Sequence, residues 1–75
     1  MPSLPVVTWS ELVRALSFAG YEEKRQNGSH IILTKDSHPY PASVPKHPEI
    51  ARGTLLRILR DAGIEKDEFL ELLKK

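Results

Sequence analysis

Asn27-Gly28-Ser29-His30 sets an imidazole at the exit of a tight turn, with the apolar run Ile31-Ile32-Leu33 directly behind it. Asn-Gly is the strongest short-range hairpin signal, because both residues tolerate positive φ and fit a type I′ turn. Histidine is the side chain whose charge ordinarily changes near neutral pH, so on rigid backbone beside solvent it suits proton transfer. The plain reading of a lone histidine beside a turn is a solvated side chain. The other titratable groups give no ready-made centre. Ser29-His30 is not a nucleophile–base pair, since strand neighbours point to opposite faces. Glu22 and Glu23 point apart for the same reason. His30, His38 and His47 lie eight and nine residues apart, which matches no compact metal motif. No metal and no cofactor is therefore expected. His47 is a weaker candidate, as a second proton carrier or a phosphate contact, against a loop histidine packed on Pro45 and Pro48. His38 reads as solvated.

An anionic backbone would need cations near that imidazole. Lys24, Arg25, Lys46 and Arg52 are the candidates, with Thr54 at the start of a helix whose free N–H groups favour phosphate. For Thr54 an ordinary helix cap explains the residue equally well. Arg57 and Arg60 read as contacts for phosphate or a protein partner, or as a solvated helix face. The chain carries 11 Lys and Arg against 10 Asp and Glu, so its total charge does not announce a polyanion partner. The distribution is more informative. From Lys24 to Arg60 the cations outnumber Asp36 and Glu49, and the acids gather at Glu22, Glu23 and beyond Asp61. A local basic patch can steer a phosphate backbone when the net charge is small.

The elements that must position these groups follow from periodicity. Thr8-Trp9-Ser10-Glu11 is a capping box, and Trp9, Leu12, Val13, Leu16 and Ala19 form the stripe of a first helix stopped at Gly20. Trp9 and Phe18 read as core or core rim. Tyr21 to Gln26 is a charged strand defined by the helix stop before it and the turn after it. Ser29 to Thr34 is a second strand, with Ser29, Ile31 and Leu33 on one face and His30, Ile32 and Thr34 on the other. Both faces carry an isoleucine, so the pattern leaves open which one meets the core. Tyr40 to Pro45 is a short third strand, with Ala42 and Val44 on one face and prolines that suit an edge. Thr54 reads as the N-cap of a second helix with stripe Leu55, Ile58, Leu59 and Ala62, ended by Gly63. A last helix runs from about Lys66 to Lys74. The order α-β-β-β-α-α implies an α+β fold: a small three-stranded antiparallel sheet with helices on one face.

The chain's 75 residues imply one domain, spanning 1–75, with a thin core and little room for a deep cofactor pocket. Cysteine is absent, which excludes disulfide and thiolate chemistry. No apolar run approaches the roughly 18 residues of a membrane span. Residues 1–7 are proline-rich and extended in expectation, without the pattern of a signal peptide, so a cytoplasmic protein is expected.

Several blocks, taken in order, resemble the HicA (YcfA-like) toxins of bacterial toxin–antitoxin systems. They are Gly20-Tyr21, Asn27-Gly28-Ser29-His30, Val44-Pro45-Lys46-His47, Gly53-Thr54-Leu55-Leu56-Arg57-Ile58-Leu59-Arg60-Asp61-Ala62-Gly63-Ile64 and Glu68-Phe69-Leu70. Each block is weak alone; their sequence across nearly the whole chain is specific. The resemblance implies a fold like a double-stranded-RNA-binding domain. It also implies a metal-independent ribonuclease that cleaves mRNA, and a HicB-type antitoxin that masks it. The family's active histidine, in Gly-Ser-His, corresponds to His30. Where the family often has a basic or polar residue after that histidine, this chain has Ile31. Two other readings stay open at this point: a non-catalytic RNA-binding module on the same fold, and a small protein-interaction domain that uses the edge from Tyr40 to Pro45.

Overall fold

The computed structural model describes residues 4–75. The order of elements is α1 (Trp9–Phe18), β1 (Glu22–Asn27), β2 (His30–Lys35), β3 (His38–Pro45), α2 (Arg52–Ala62) and α3 (Lys66–Leu73). The strands form one antiparallel sheet in the order β1-β2-β3. This is the α-β-β-β-α-α arrangement expected of a fold like a double-stranded-RNA-binding domain.

The capping box at the start of α1 is formed. The Thr8 Oγ1 accepts from the Glu11 backbone N–H at 3.2 Å, and the Glu11 Oε1 accepts from the Thr8 backbone N–H at 2.9 Å. Two otherwise orphaned donors are satisfied together. From there Leu12, Ala15 and Leu16 are buried, while Trp9, Val13 and Ala19 pack at the rim of the core. Phe18 departs from expectation: it is 51% exposed at the last turn of the helix.

The hairpin turn lies one residue later than the Asn-Gly pair implies. Asn27 ends β1 and pairs directly with His30, leaving Gly28 and Ser29 as the connection. Gly28 has φ of +62°, and no residue other than glycine among those described has positive φ. A positive φ at the first central residue alone is the pattern of a type II′ turn, not I′. Glycine takes that conformation without steric cost, so Asn27 remains extended.

The open question of strand parity has a clear answer. Ile31 and Leu33 are buried, and their partners Val44 and Ala42 are buried with them. These four cover the helix side of the sheet. α2 packs on β3, and α1 packs on β1, β3 and α3. Phe69, Leu12, Leu16, Leu33, Leu55 and Val44 are the largest side chains sealed in this single cluster. Among the described residues no charged group is buried.

α2 starts two residues before the expected cap. Ala51 is its N-cap and supplies no side-chain hydrogen bond; Thr54 lies within the first turn. The entry is fixed from outside the helix: Ile50 is buried, and its N–H donates to the Val7 carbonyl at 2.9 Å. Gly63 then closes α2 in the left-handed conformation, with φ of +73°.

Candidate active site

His30 is the first residue of β2 and is exposed. Its cross-strand partners are Asn27 on β1 and Pro45 on β3. Directly paired residues of antiparallel strands share a face, and successive residues alternate. His30 therefore stands on the face opposite Ile31, Leu33, Ala42 and Val44. The next row on that open face holds Arg25, Ile32 and Ser43, which pair with one another across the sheet. Arg25 is thus a same-face neighbour of His30, one diagonal step away.

Beyond Pro45 the chain is held against the turn that carries His30. The Lys46 N–H donates to the Ser29 carbonyl at 2.7 Å, which extends the β2–β3 ladder by one rung. The Trp9 N–H donates to the His47 carbonyl at 3.3 Å, so the same segment also touches the start of α1. The Lys46 ammonium lies 4.9 Å from the centre of the Trp9 ring, a cation–π distance. This contact holds half-buried Lys46 beside the hairpin, on the helix side of the sheet. Nothing in the spacing of Trp9 and Lys46 signalled it, since the two meet through the fold alone. On the other side of the turn, the Gln26 Nε2 donates to the Gly28 carbonyl at 3.3 Å and stiffens the bend.

The remaining sequence candidates divide. Lys24 sits at a β-bulge between Glu23 and Arg25 and is paired with Glu22 at 3.0 Å, so its charge is partly answered on its own strand. His47 is exposed; its backbone N–H donates to the Pro45 carbonyl at 2.8 Å. Arg52 and Thr54 belong to a different place, the first turn of α2. The first helical hydrogen bond there, from the Leu55 N–H to the Ala51 carbonyl, leaves the preceding N–H groups without helical partners. Arg52 also borders a groove of about 270 Å³ with Leu4, Pro5 and Val6.

His38 is not the solvated residue its loop suggests. It is half-buried, and its Nε2 donates to the Asp61 carbonyl in the last turn of α2. Its ring meets Tyr21 edge-on at 6.2 Å and Tyr40 at 5.9 Å between centres. That is a structural tether between β3 and α2. Among the described residues no three His, Asp or Glu side chains converge as a metal site would require, and no helix is long and apolar enough to cross a membrane.

A protein-family model described as the HicA toxin of bacterial toxin–antitoxin systems matches residues 9–64. The chain belongs to the HicA toxin family. Comparison with curated proteins finds no match. The matched span runs from the first residue of α1 to the residue after Gly63. It therefore takes in all three strands, the turn that carries His30 and the Lys46 segment pinned beside it. Within a HicA-family toxin the exposed His30 and Arg25 on the open face, with half-buried Lys46 at the edge of the same turn, form the candidate site.

Proposed function

We propose that this HicA-family toxin is a metal-independent endoribonuclease that cleaves mRNA in the cytoplasm, with His30 as its proton-transfer residue. A HicB-type antitoxin is its inhibitor. The observation that carries the reading is the position of His30: exposed, at the end of a rigid hairpin, on the sheet face that the helices leave open.

RNA carries its own nucleophile. Attack of the ribose 2′-oxygen on the adjacent phosphorus forms a cyclic phosphate and expels the 5′-oxygen. One proton must leave the 2′-hydroxyl and one must reach the departing oxygen. An imidazole serves either step, because its two protonation states interconvert near neutral pH. Charge building on the phosphate oxygens needs nearby cations: Arg25 shares the open face with His30, while Lys46, paired with Ser29 and lying over Trp9 on the helix side, supports the strand from the edge of the same turn. Lys24 and His47 stand farther out on the same strands and loop, as supporting contacts. The uncapped first turn of α2, with Arg52 and Thr54, offers a further place for backbone phosphate.

The test uses the purified chain and a defined RNA in excess chelator, beside His30→Ala. Cleavage by the wild type, with a loss of roughly 100-fold or more in the variant, is expected for a general acid or base. Equal rates in the two proteins remove His30 from the chemistry. Tight RNA binding by both proteins without cleavage replaces the enzyme with a binding module.

A further inference from the structure

A groove on another side of the molecule lies away from His30. It has a volume of about 290 Å³ and runs between β3 and α2, bordered by Pro41, Ala42 and Ser43 on one side and by Arg57, Ile58 and Asp61 on the other. β3 is an edge strand, so one side of its backbone faces this groove rather than another strand. Which backbone groups are open there follows from the register. Lys46 donates to Ser29 across the ladder, and Ser43 pairs with Ile32 three positions back. Hydrogen-bonded and non-bonded pairs alternate along an antiparallel ladder, so Ser43 falls in a non-bonded pair. Its N–H and C=O both point outward. Pro41 and Pro45 have no N–H, and the Pro45 carbonyl is taken by His47. From Pro41 to Pro45 the edge thus offers one open donor, at Ser43, together with that residue's own acceptor.

This is an edge closed to extended pairing by its prolines and left open at a single rung. An open rung flanked by a helix is the geometry in which extended peptides add to a sheet. The groove also holds unanswered polar groups. The Tyr21 hydroxyl is buried without a hydrogen-bond partner, and Tyr21 borders the groove. Arg57 is exposed and has no salt-bridge partner among the described residues, while Asp61 is paired with Arg60 at 3.7 Å. The uncompensated charge at the rim is therefore positive, but single. A nucleic-acid backbone needs a run of cations, and a floor of Ala42, Ile58 and Ala62 offers it nothing. A polypeptide with one carboxylate fits both.

We propose that the groove between β3 and α2 is a docking site for an extended segment of the toxin's protein partner. The segment forms one two-bond rung with Ser43, sets a carboxylate against Arg57 and places one or two side chains over Ala42 and Ile58. The identity of the partner as antitoxin rests on the toxin–antitoxin reading above. The docking itself does not depend on the chemistry of His30.

The experiment measures affinity for the cognate antitoxin by calorimetry, in the wild-type and His30→Ala backgrounds, with Ser43→Pro and with Arg57→Glu. Ser43→Pro removes the outward N–H together with the hydroxyl and some backbone freedom, in a strand that already carries proline on both sides; Arg57→Glu alters an exposed side chain and guards against misfolding of the first variant. Each substitution is expected to weaken the complex at least tenfold in both backgrounds. The Ser43 amide, fast to exchange in the free toxin, is expected to become protected in the complex. Affinities within twofold of the parent, with an unprotected Ser43 amide, overturn the proposal. So does a loss of RNA binding, or of self-association, in place of a loss of antitoxin binding. A ribonuclease result that goes against His30 leaves these measurements unaffected.

Discussion

The two faces of the sheet differ by one step along β2. Ile31 and Leu33 face the helices and are sealed; His30 and Ile32 face outward, the first exposed and the second half-buried. The inner face is paired apolar to apolar across strands, Ile31 with Val44 and Leu33 with Ala42. The outer face pairs His30 with Asn27 and Pro45, and Ile32 with Arg25 and Ser43. The same six residues of β2 thus supply both the centre of the core and the candidate catalytic group. A strand packed on one side only holds a side chain rigid without burying it. That is what proton transfer at a bulky polymer requires, and a helix or loop would provide it less well.

If the faces divide labour this way, substitutions on them should separate activity from stability. His30→Ala gives the largest effect on activity, the loss of roughly 100-fold or more already described, which corresponds to about 3 kcal/mol of barrier. Its stability should move by no more than about 0.5 kcal/mol in urea titration, because an exposed side chain leaves no cavity. Leu33→Ala is the converse. It empties a site only 1% exposed and should cost about 2–5 kcal/mol. Ile32→Ala, one residue away, removes a half-exposed side chain and should cost clearly less. Equal losses at Leu33 and Ile32 would mean that the outer face is covered, and the division between faces would fail.

How far the sequence reveals this arrangement depends on whether a signal is local. The capping box at Thr8 and Glu11 involves neighbours, and α1 begins where it predicts. The αL glycine at Gly63 is equally local. The face of His30 is not, since Ile31 and Ile32 offer opposite parities; Ala42 and Val44, a strand away, decide it. Thr54 resembles a cap by type, yet buried Ile50 and its bond to Val7 set the start of α2 earlier. His38 reads as solvated because its partner is a backbone carbonyl 23 residues away. The Trp9–Lys46 contact is likewise tertiary. For the candidate site, sequence identifies the residue types and places Thr54 at a helix start, and only register shows that Arg25 and His30 share a face.

The separation of cations between the hairpin and α2 can be sharpened by salt dependence. Neutralising Lys46 and Arg52 together should weaken RNA binding and flatten its dependence on salt. If each contacts one phosphate of a single strand, the slope of log K against log salt should fall by about 1.4, on ~0.7 per contact. Single variants then compare the two places. Lys46→Ala alone keeps the backbone bond to Ser29 and removes only the ammonium held over Trp9 beside the His30 turn, so it should weaken binding and lower the cleavage rate at subsaturating RNA. Arg52→Ala should affect binding only. An unchanged slope in the double variant removes both residues from the footprint.

The smallest effect expected lies behind the inner face. Tyr21 is 3% exposed, and its buried hydroxyl has no hydrogen-bond partner. Burial disfavours the phenolate and raises the pKa of Tyr21 above its ordinary value. In the alkaline range the folded chain therefore holds this proton more firmly than the unfolded chain does. Stability from this source is complete below the unfolded pKa near 10 and is lost as pH rises through the folded value. Tyr21→Phe keeps the ring and deletes the orphaned hydroxyl, so at neutral pH it should be neutral or stabilising, by about 1 kcal/mol at most. Above pH 10 the variant should lose stability less steeply than the wild type, in thermal melts followed by circular dichroism. A destabilised variant at neutral pH would show that the hydroxyl is answered inside the fold. It would then no longer be available to a ligand in the groove beside α2.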